Sequence, residues 1–370
     1  MTSDQRCIAV VGAGFFGLYS ALYLAKLGFK VEVFERNKEP MLESSMLNQA
    51  RIHGGYHYPR ALQTAGRCRA NYSRFIKEFK SAISDPFIST YVIAQDSKVS
   101  AAKFEKFAEL IEAPLFQMPK DLWDEFDHRL VEKGWVVEEL AFNSRELCDL
   151  LQSKLHDYGV VIHFEQKVVS ANSQKSSGGS KEAVTLTMQD GHTREFYGAI
   201  IATYGQFLDN QGVRDTTANI LFEICELVSI RMPRNRQNVA ITIMDGPYWS
   251  ITPWPAYKSA ALSHVRFTPH IKFSESQEAE DFLKSGNFIS RGQLMVRDAS
   301  RYLPYVLEAQ ILESKYVIKT VLRKRDYDDA RPVIYSATKR VLSIIGSKID
   351  NIYEFEPILD SFLEELSHGK

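Results

Sequence analysis

The sequence predicts an α/β chain in which a parallel-sheet domain is interrupted by an inserted α+β domain built on an antiparallel sheet. Three observations predict it. A short apolar run, Ile8-Ala9-Val10-Val11, leads into Gly12-Ala13-Gly14-Phe15-Phe16-Gly17, a helix-like segment to Leu27 and a second apolar strand, Val31-Glu32-Val33-Phe34. A block from Val160 to Gly205 places a polar meander between two more buried-type strands. The stretches from about 86 to 142 and from 213 to 329 change character, with strand-like and helical segments of their own.

Each part of the first unit has a mechanical reason. Gly12 permits a tight turn out of the strand, Gly14 lets a pyrophosphate approach the backbone, and Gly17 lets helix and strand pack closely. The helix start offers free N–H groups and the positive end of a dipole to phosphate. Glu35 closes the second strand, where an acid can hold both hydroxyls of an adenosine ribose. Strand, glycine turn, helix and acid at this spacing predict a Rossmann-like dinucleotide site. No charged residue falls between Arg6 and Lys26, which superficially resembles a signal peptide or membrane span. The glycine spacing and the amphipathic continuation oppose that reading, and a soluble, cytoplasmic protein is expected.

Composition narrows the partners. The chain has 370 residues, 45% hydrophobic and 25% charged, enough for one large domain or two. A net charge of −1 gives no footprint for nucleic acid or an anionic membrane. The run Arg323-Lys324-Arg325 is followed by Asp326, Asp328 and Asp329 and reads as a solvated surface. Cys7, Cys68, Cys148 and Cys225 are far apart and form no ligand cluster, so reduced thiols and no metal are expected.

After Glu35 comes Asn48-Gln49-Ala50-Arg51-Ile52-His53-Gly54-Gly55-Tyr56-His57-Tyr58-Pro59, too polar for a core helix and dense in Arg, His and Tyr. It reads as a loop that supplies chemistry. Residues 62–80 carry an i/i+3/i+4 stripe of Tyr72, Phe75, Ile76 and Phe79, a core-facing helix. Residues 87–94 read as a strand, 100–113 as a helix, and Trp135 as the start of another strand. Residues 144–158 read as a helix with Ser144 as N-cap. Strands are expected at 221–230, 239–244, 248–252 and around 263–270, helices at 276–286 and 300–314. A last apolar strand, 341–346, precedes a closing helix from about 353 to 366.

This order of parts resembles the D-amino-acid-oxidase-like family of FAD-dependent oxidoreductases, which includes glycine and sarcosine oxidases and 2-hydroxyglutarate oxidase. The βαβ unit with Glu35, the Asn48–Pro59 loop, the Val160–Gly205 block and Gly346-Ser347-Lys348-Ile349-Asp350 carry the resemblance. It implies a discontinuous FAD-binding domain of residues 1–85, 143–212 and 330–370, and a substrate-binding domain of 86–142 and 213–329. By the resemblance, Gly12, Gly14, Phe15, Phe16 and Gly17 would cradle the pyrophosphate, and Glu35 with Arg36 would meet the adenosine. Asn48, Gln49, Ala50, Arg51, Ile52 and His53 would run along the flavin, with Val168 facing adenine through its backbone. Thr203 and Gly205 would flank the cofactor, and Gly346, Lys348 and Ile349 would close over the ring. The family often has Ser or Thr followed by glycines in the flavin loop. Here it reads NQARIHGG, a difference that points to a specialised biosynthetic substrate.

The implied activity is oxidation of a small amine, amino acid or 2-hydroxy acid by hydride transfer to flavin N5, with O2 as acceptor and hydrogen peroxide as product. His53 and His57 are candidates to accept a proton, since histidine titrates near neutrality. Arg51 could grip a carboxylate or stabilise reduced flavin, and Lys348 could do the latter. Tyr58, Tyr248, Trp249, His264, Arg266, Arg301 and Tyr302 are the substrate candidates, with Arg266 foremost for a carboxylate because guanidinium binds it in a planar fork. Each also has a bland reading, as a packed aromatic, a hydrogen-bonded loop histidine or a structural ion pair. A nicotinamide-dependent dehydrogenase and a flavin-binding protein without turnover stay open, as do amine versus alcohol oxidation and the oligomeric state.

Overall fold

The computed structural model describes residues 6–175, 182–204, 220–323 and 331–368. Gly205 and all of the charged run after Arg323, Lys324 to Asp329, lie outside the described residues. A six-stranded sheet runs in the order Ile334–Thr338, Val341–Ile345, Gly198–Ile201, Cys7–Val11, Lys30–Phe34, Val161–His163. All pairs are parallel except the first, which is antiparallel.

The apolar run of the first strand is explained by burial on both faces. Ile8 and Val10 pack against the helices Phe15–Lys26, Ser144–Asp157 and Ile352–His368. Ala9 and Val11 point the other way, onto a three-stranded meander of Val168–Lys175, Glu182–Met188 and Thr193–Phe196. The period of two along a strand therefore feeds two different cores from one five-residue segment.

A second, larger sheet is built from Ile88–Ala94, Leu115–Gln117, Val131–Val137 and the strands between Ile220 and Leu322. It is antiparallel but for one pair, Val239–Met244 beside Ile88–Ala94, which is parallel. Its register matters for the site. Ile241, Ile251 and Leu262 stand side by side on three strands and face a core shared with the helix Gly292–Tyr302. One residue along, Thr242, Ser250 and Ser263 stand side by side and face the opposite way, toward a cavity.

Several expectations are corrected. Residues 300–314 are not one helix: a helix spans Gly292–Tyr302, Pro304 opens a short 3-10 turn, and Gln310–Leu322 is a strand. Pairing along almost the whole of Ile220–Arg231 overrides whatever helical spacing that segment has. The strand thought to begin at Trp135 is Val131–Val137 and ends just after it. The N-cap of Ser144–Asp157 is Asn143, whose side chain accepts from Arg145 N–H at 3.0 Å, while the hydroxyl of Ser144 is buried without a partner. The strand Ile334–Thr338 was not foreseen. Among the described residues no helix is long and apolar enough to cross a membrane.

Candidate active site

A cavity of about 1350 Å³ runs from the start of the helix Phe15–Lys26, along the carboxyl edge of the parallel sheet, to the polar face of the large sheet. At its near end the backbone itself makes the wall. Gly12 has φ +97°, and a Cβ there would stand 2.8 Å from the carbonyl oxygen of Ala202. A Cβ on Gly17 would fall 1.9 Å from Gly12 O, so any side chain would drive the helix off the strand. A Cβ on Gly346 would meet the Phe16 ring at 2.5 Å. The helix has no acid in its first turn and no side-chain N-cap; Ser45 Oγ accepts from Phe15 N–H at 2.9 Å.

Glu35 is 7% exposed and lines the cavity where the second strand ends. Its Oε2 accepts from Ala13 N–H at 2.7 Å, and its Oε1 accepts from the backbone and side-chain amides of Asn37 at 2.9 and 2.8 Å. Arg36 lines the same end but is spanned by two acids: Glu43, in the following loop, and Glu280, on the helix Ser276–Ser285, at 2.5 and 2.6 Å. Val168, Thr203 and Ile349 complete this part of the wall.

The polar loop resolves into two faces. Gln49, Arg51 and His53 line the cavity, whereas Ala50 and Ile52 are buried in the core behind them. The two-residue strand Arg51–Ile52, paired with Leu140–Ala141, imposes the alternation, so the side chains of Ala50 and Ile52, expected along the flavin, do not line the cavity. Asn48 holds the loop: its Oδ1 accepts from Ala50 N–H at 2.7 Å, and its amide donates to Ser45 O at 2.8 Å. Gln49 Nε2 donates to Ser250 Oγ at 2.8 Å and also to Ser263 Oγ.

Arg51 is 6% exposed and donates from NH1 to Tyr91 OH at 2.6 Å and from NH2 to Thr242 Oγ1 at 2.8 Å. Glu139, 3% exposed, lies 3.4 Å from NH1 and accepts from Tyr91 OH at 2.8 Å and from Gly54 N–H at 3.0 Å. Burial works against its charge, but Arg51 and then His53 hold the Glu139 carboxyl below the usual carboxylate range. Burial pushes His53 down, and burial with the charge of Arg51 pushes His57 well below the ordinary imidazole value. Both rings are therefore neutral near pH 7. Lys348, 7% exposed, donates to Cys68 Sγ, and its Nζ lies 3.7 Å from the centre of the Tyr58 ring.

The substrate candidates divide. Tyr58, Tyr248 and Trp249 line the cavity, and Trp249 Nε1 is enclosed without a hydrogen-bond partner among the described residues. His264 also lines it, but both ring nitrogens are used: Nε2 with Asp298 at 2.9 Å, and Nδ1 as acceptor from Arg266 N–H at 3.0 Å. It fixes the 264–268 turn. Arg266, Arg301 and Tyr302 do not line the cavity. Arg266 is exposed within that turn, Arg301 is 59% exposed and paired with Asp298, and Tyr302 packs under Tyr248 and Trp249 in the core. Sequence reading passed over Glu139, Tyr91, Thr242, Ser250 and Ser263. The last three sit one residue from core Ile241, Ile251 and Leu262, an alternation that could have marked them; Glu139 carried no local signal.

The description of the FAD-dependent oxidoreductase (DAO) family matches residues 7–347. The chain belongs to that family. A backbone cradle that side chains would fill, an acid at the end of the second strand and a helix start with no acid in its first turn all fit FAD, which the family uses. This settles the cofactor in favour of flavin over a nicotinamide alone. Similar proteins include the FAD-dependent monooxygenase FPY4 of Fusarium mangiferae, 24% identical over 355 residues that cover 95% of this chain and 89% of that one. The fold is shared with a glycine oxidase from Geobacillus kaustophilus, with TM-score 0.66 and 14% identity over 99% of this chain and 96% of that one. It is shared too with an L-alpha-glycerophosphate oxidase from Mycoplasma pneumoniae with FAD bound, with TM-score 0.69 and 13% identity over 98% and 95% of the two chains.

Proposed function

We propose that this FAD-dependent oxidoreductase removes a hydride from a carbon bearing nitrogen or oxygen in a small amine, amino acid or 2-hydroxy acid, with O2 as the final acceptor and hydrogen peroxide as product. The observation that carries it is a shared cavity. The glycine cradle and Glu35 at one end, and His53, His57, Tyr58 and Trp249 at the other, open onto a single space. The bound flavin would supply the electron sink.

The chain's own residues bind, orient and move protons. Gln49, tied to Ser250, fixes the loop against the large sheet. His53 and His57, uncharged, are able to take the proton that a hydroxyl or ammonium gives up. Arg51 and Lys348 bring positive charge to that end, where it favours an oxyanion or a carboxylate. Tyr58, Tyr248 and Trp249 exclude water and shape the space.

The similarity to the FAD-dependent monooxygenase of Fusarium mangiferae favours a second reading, monooxygenation. Anaerobic mixing of the holoprotein with amines, amino acids and hydroxy acids tests the first: direct bleaching of the flavin, followed by peroxide formation on adding air, is expected. Bleaching only by NADPH, with label from 18O2 entering the product, would replace it by the second.

A further inference from the structure

The loop after Ile52 and the turn before Leu140 bring together a histidine and a buried carboxylate that take no part in the glycine cradle. Nδ1 of His53 stands 3.8 Å from Oε1 of Glu139. That carboxylate is immobilised by Gly54 N–H, Tyr91 OH and Arg51, and is kept ionised among them. Nδ1 of His53 is enclosed with no hydrogen-bond partner among the described residues, yet the ring keeps 14% exposure and lines the cavity. The edge that carries Nε2 is thus the one on the cavity. A proton on Nδ1, turned to Glu139, leaves the lone pair of Nε2 facing the space where a substrate sits.

The field around this end is positive. At His53, burial is opposed by Glu139, with Lys348 and Arg51 acting after it; at His57, whose ring centre is 5.7 Å away, burial and then Arg51, Lys348 and Arg331 all act against a proton, so the positive charge bears on the His57 side. Tyr58 packs against both rings. Burial does most to keep His57 unprotonated, and the positive charges of Arg51 and Lys348, which also line the cavity, oppose an ammonium group bound beside it. A hydroxyl enters without that cost, and the negative charge it develops as hydride leaves is stabilised.

We propose that His53 and Glu139 are a proton-accepting pair for a neutral, hydroxyl-bearing substrate oxidised at CH–OH. The C–H bond breaks with its electron pair passing to oxidised FAD, the hydroxyl proton passes to Nε2 of His53, and a carbonyl compound is left. His53 is the catalytic residue; Glu139 is a positioning residue that acts through it. The inference rests on the dehydrogenation reading above and narrows its substrate.

The holoprotein is mixed anaerobically with matched pairs, 2-propanol with 2-aminopropane, cyclohexanol with cyclohexylamine, and benzyl alcohol with benzylamine. The hydroxyl member is expected to bleach the flavin at least about tenfold faster. An amine that bleaches while its alcohol is inert overturns the inference and leaves dehydrogenation standing. Bleaching by no alcohol of the panel overturns it as well.

His53→Gln is expected to slow flavin reduction about 100-fold, as for loss of a general base, and to erase the acid limb of its pH profile. Glu139→Gln is expected to move that limb to lower pH, and Glu139→Asp to restore most of the shift. The Asp variant also serves where the Gln variant, with Arg51 unpaired, fails to fold. A binding readout stands beside the rates. Pinacol, which has no carbinol C–H, is expected to perturb the visible flavin spectrum where tert-butylammonium at equal concentration does not. Its dissociation constant is expected to change less than about threefold in His53→Gln, since a general base acts on the rate. Tighter binding of the ammonium, or a loss of pinacol binding that parallels the loss of rate, overturns the assignment.

Discussion

NH2 of Arg51 donates to Oγ1 of Thr242 across 2.8 Å, and this bond ties the loop after the first βαβ unit to the polar face of the large sheet. The same guanidinium bonds Tyr91 and sits 3.4 Å from Glu139, all of it out of water. The loop is thereby a fixed part of the cavity wall, which is what a side chain that must meet both cofactor and substrate requires.

Removing Arg51 leaves Glu139 charged and buried without its ion pair. Arg51→Ala is expected to destabilise the fold by about 3–5 kcal/mol, the usual cost of breaking one half of a buried pair. Urea unfolding of Arg51→Ala, Glu139→Ala and the double variant checks it: the double variant should be less destabilised than the two singles added together.

Gly17 has no room for a methyl group. Gly17→Ala is expected to keep most secondary structure by circular dichroism yet lower the FAD content of the purified protein by roughly tenfold or more, because the third glycine of such a turn sets helix–strand packing. Flavin absorbance relative to protein absorbance reads the result; a wild-type ratio would contradict it.

Stability should fall on the acid side of neutrality. His53 and His57 titrate lower in the folded chain than the ordinary value, so the unfolded chain binds more protons as the pH drops through about 6.5. Their contribution is complete above that pH and is lost as the pH falls toward the folded values, at up to about 1.4 kcal/mol per pH unit for each ring. Unfolding midpoints between pH 7.5 and 5 test this, and His57→Gln should flatten the slope by the share of one group.

Asn143, not Ser144, caps the helix Ser144–Asp157. Asn143→Ala is expected to cost about 1 kcal/mol, the common worth of an N-cap. Ser144→Ala should be neutral or slightly stabilising, since its buried hydroxyl has no partner. Thermal unfolding of the two single variants separates them.

Much of the near end of the site was legible along the chain. Gly12, Gly14, Gly17 and Glu35 do their work through local geometry, a turn, a helix start and a strand end, so spacing alone locates them. The far end was legible only as a loop dense in Arg, His and Tyr. Gln49, Arg51 and His53 point to the cavity while Ala50 and Ile52 do not, because a two-residue strand sets the alternation from the opposite side, through Leu140 and Ala141. Arg266 looked suited to a carboxylate among its aromatic neighbours, but it sits within an exposed turn pinned by His264 and Thr268, and its side chain does not line the cavity.

By itself, then, the amino-acid order determined the βαβ unit, its glycine cradle and a dinucleotide site, since each follows from periodicity and backbone sterics within some thirty residues, while flavin as the cofactor was implied by the order of parts along the whole chain. Only the tertiary structure decided that Glu139 lies behind His53 and Arg51, that Thr242, Ser250 and Ser263 form one polar row, and that Arg301 and Tyr302 serve elsewhere. Glu139 stands 86 and 88 positions from His53 and Arg51, and Gln49 reaches the polar row at Ser250 across 201, so these relations are set by strand register and shared burial.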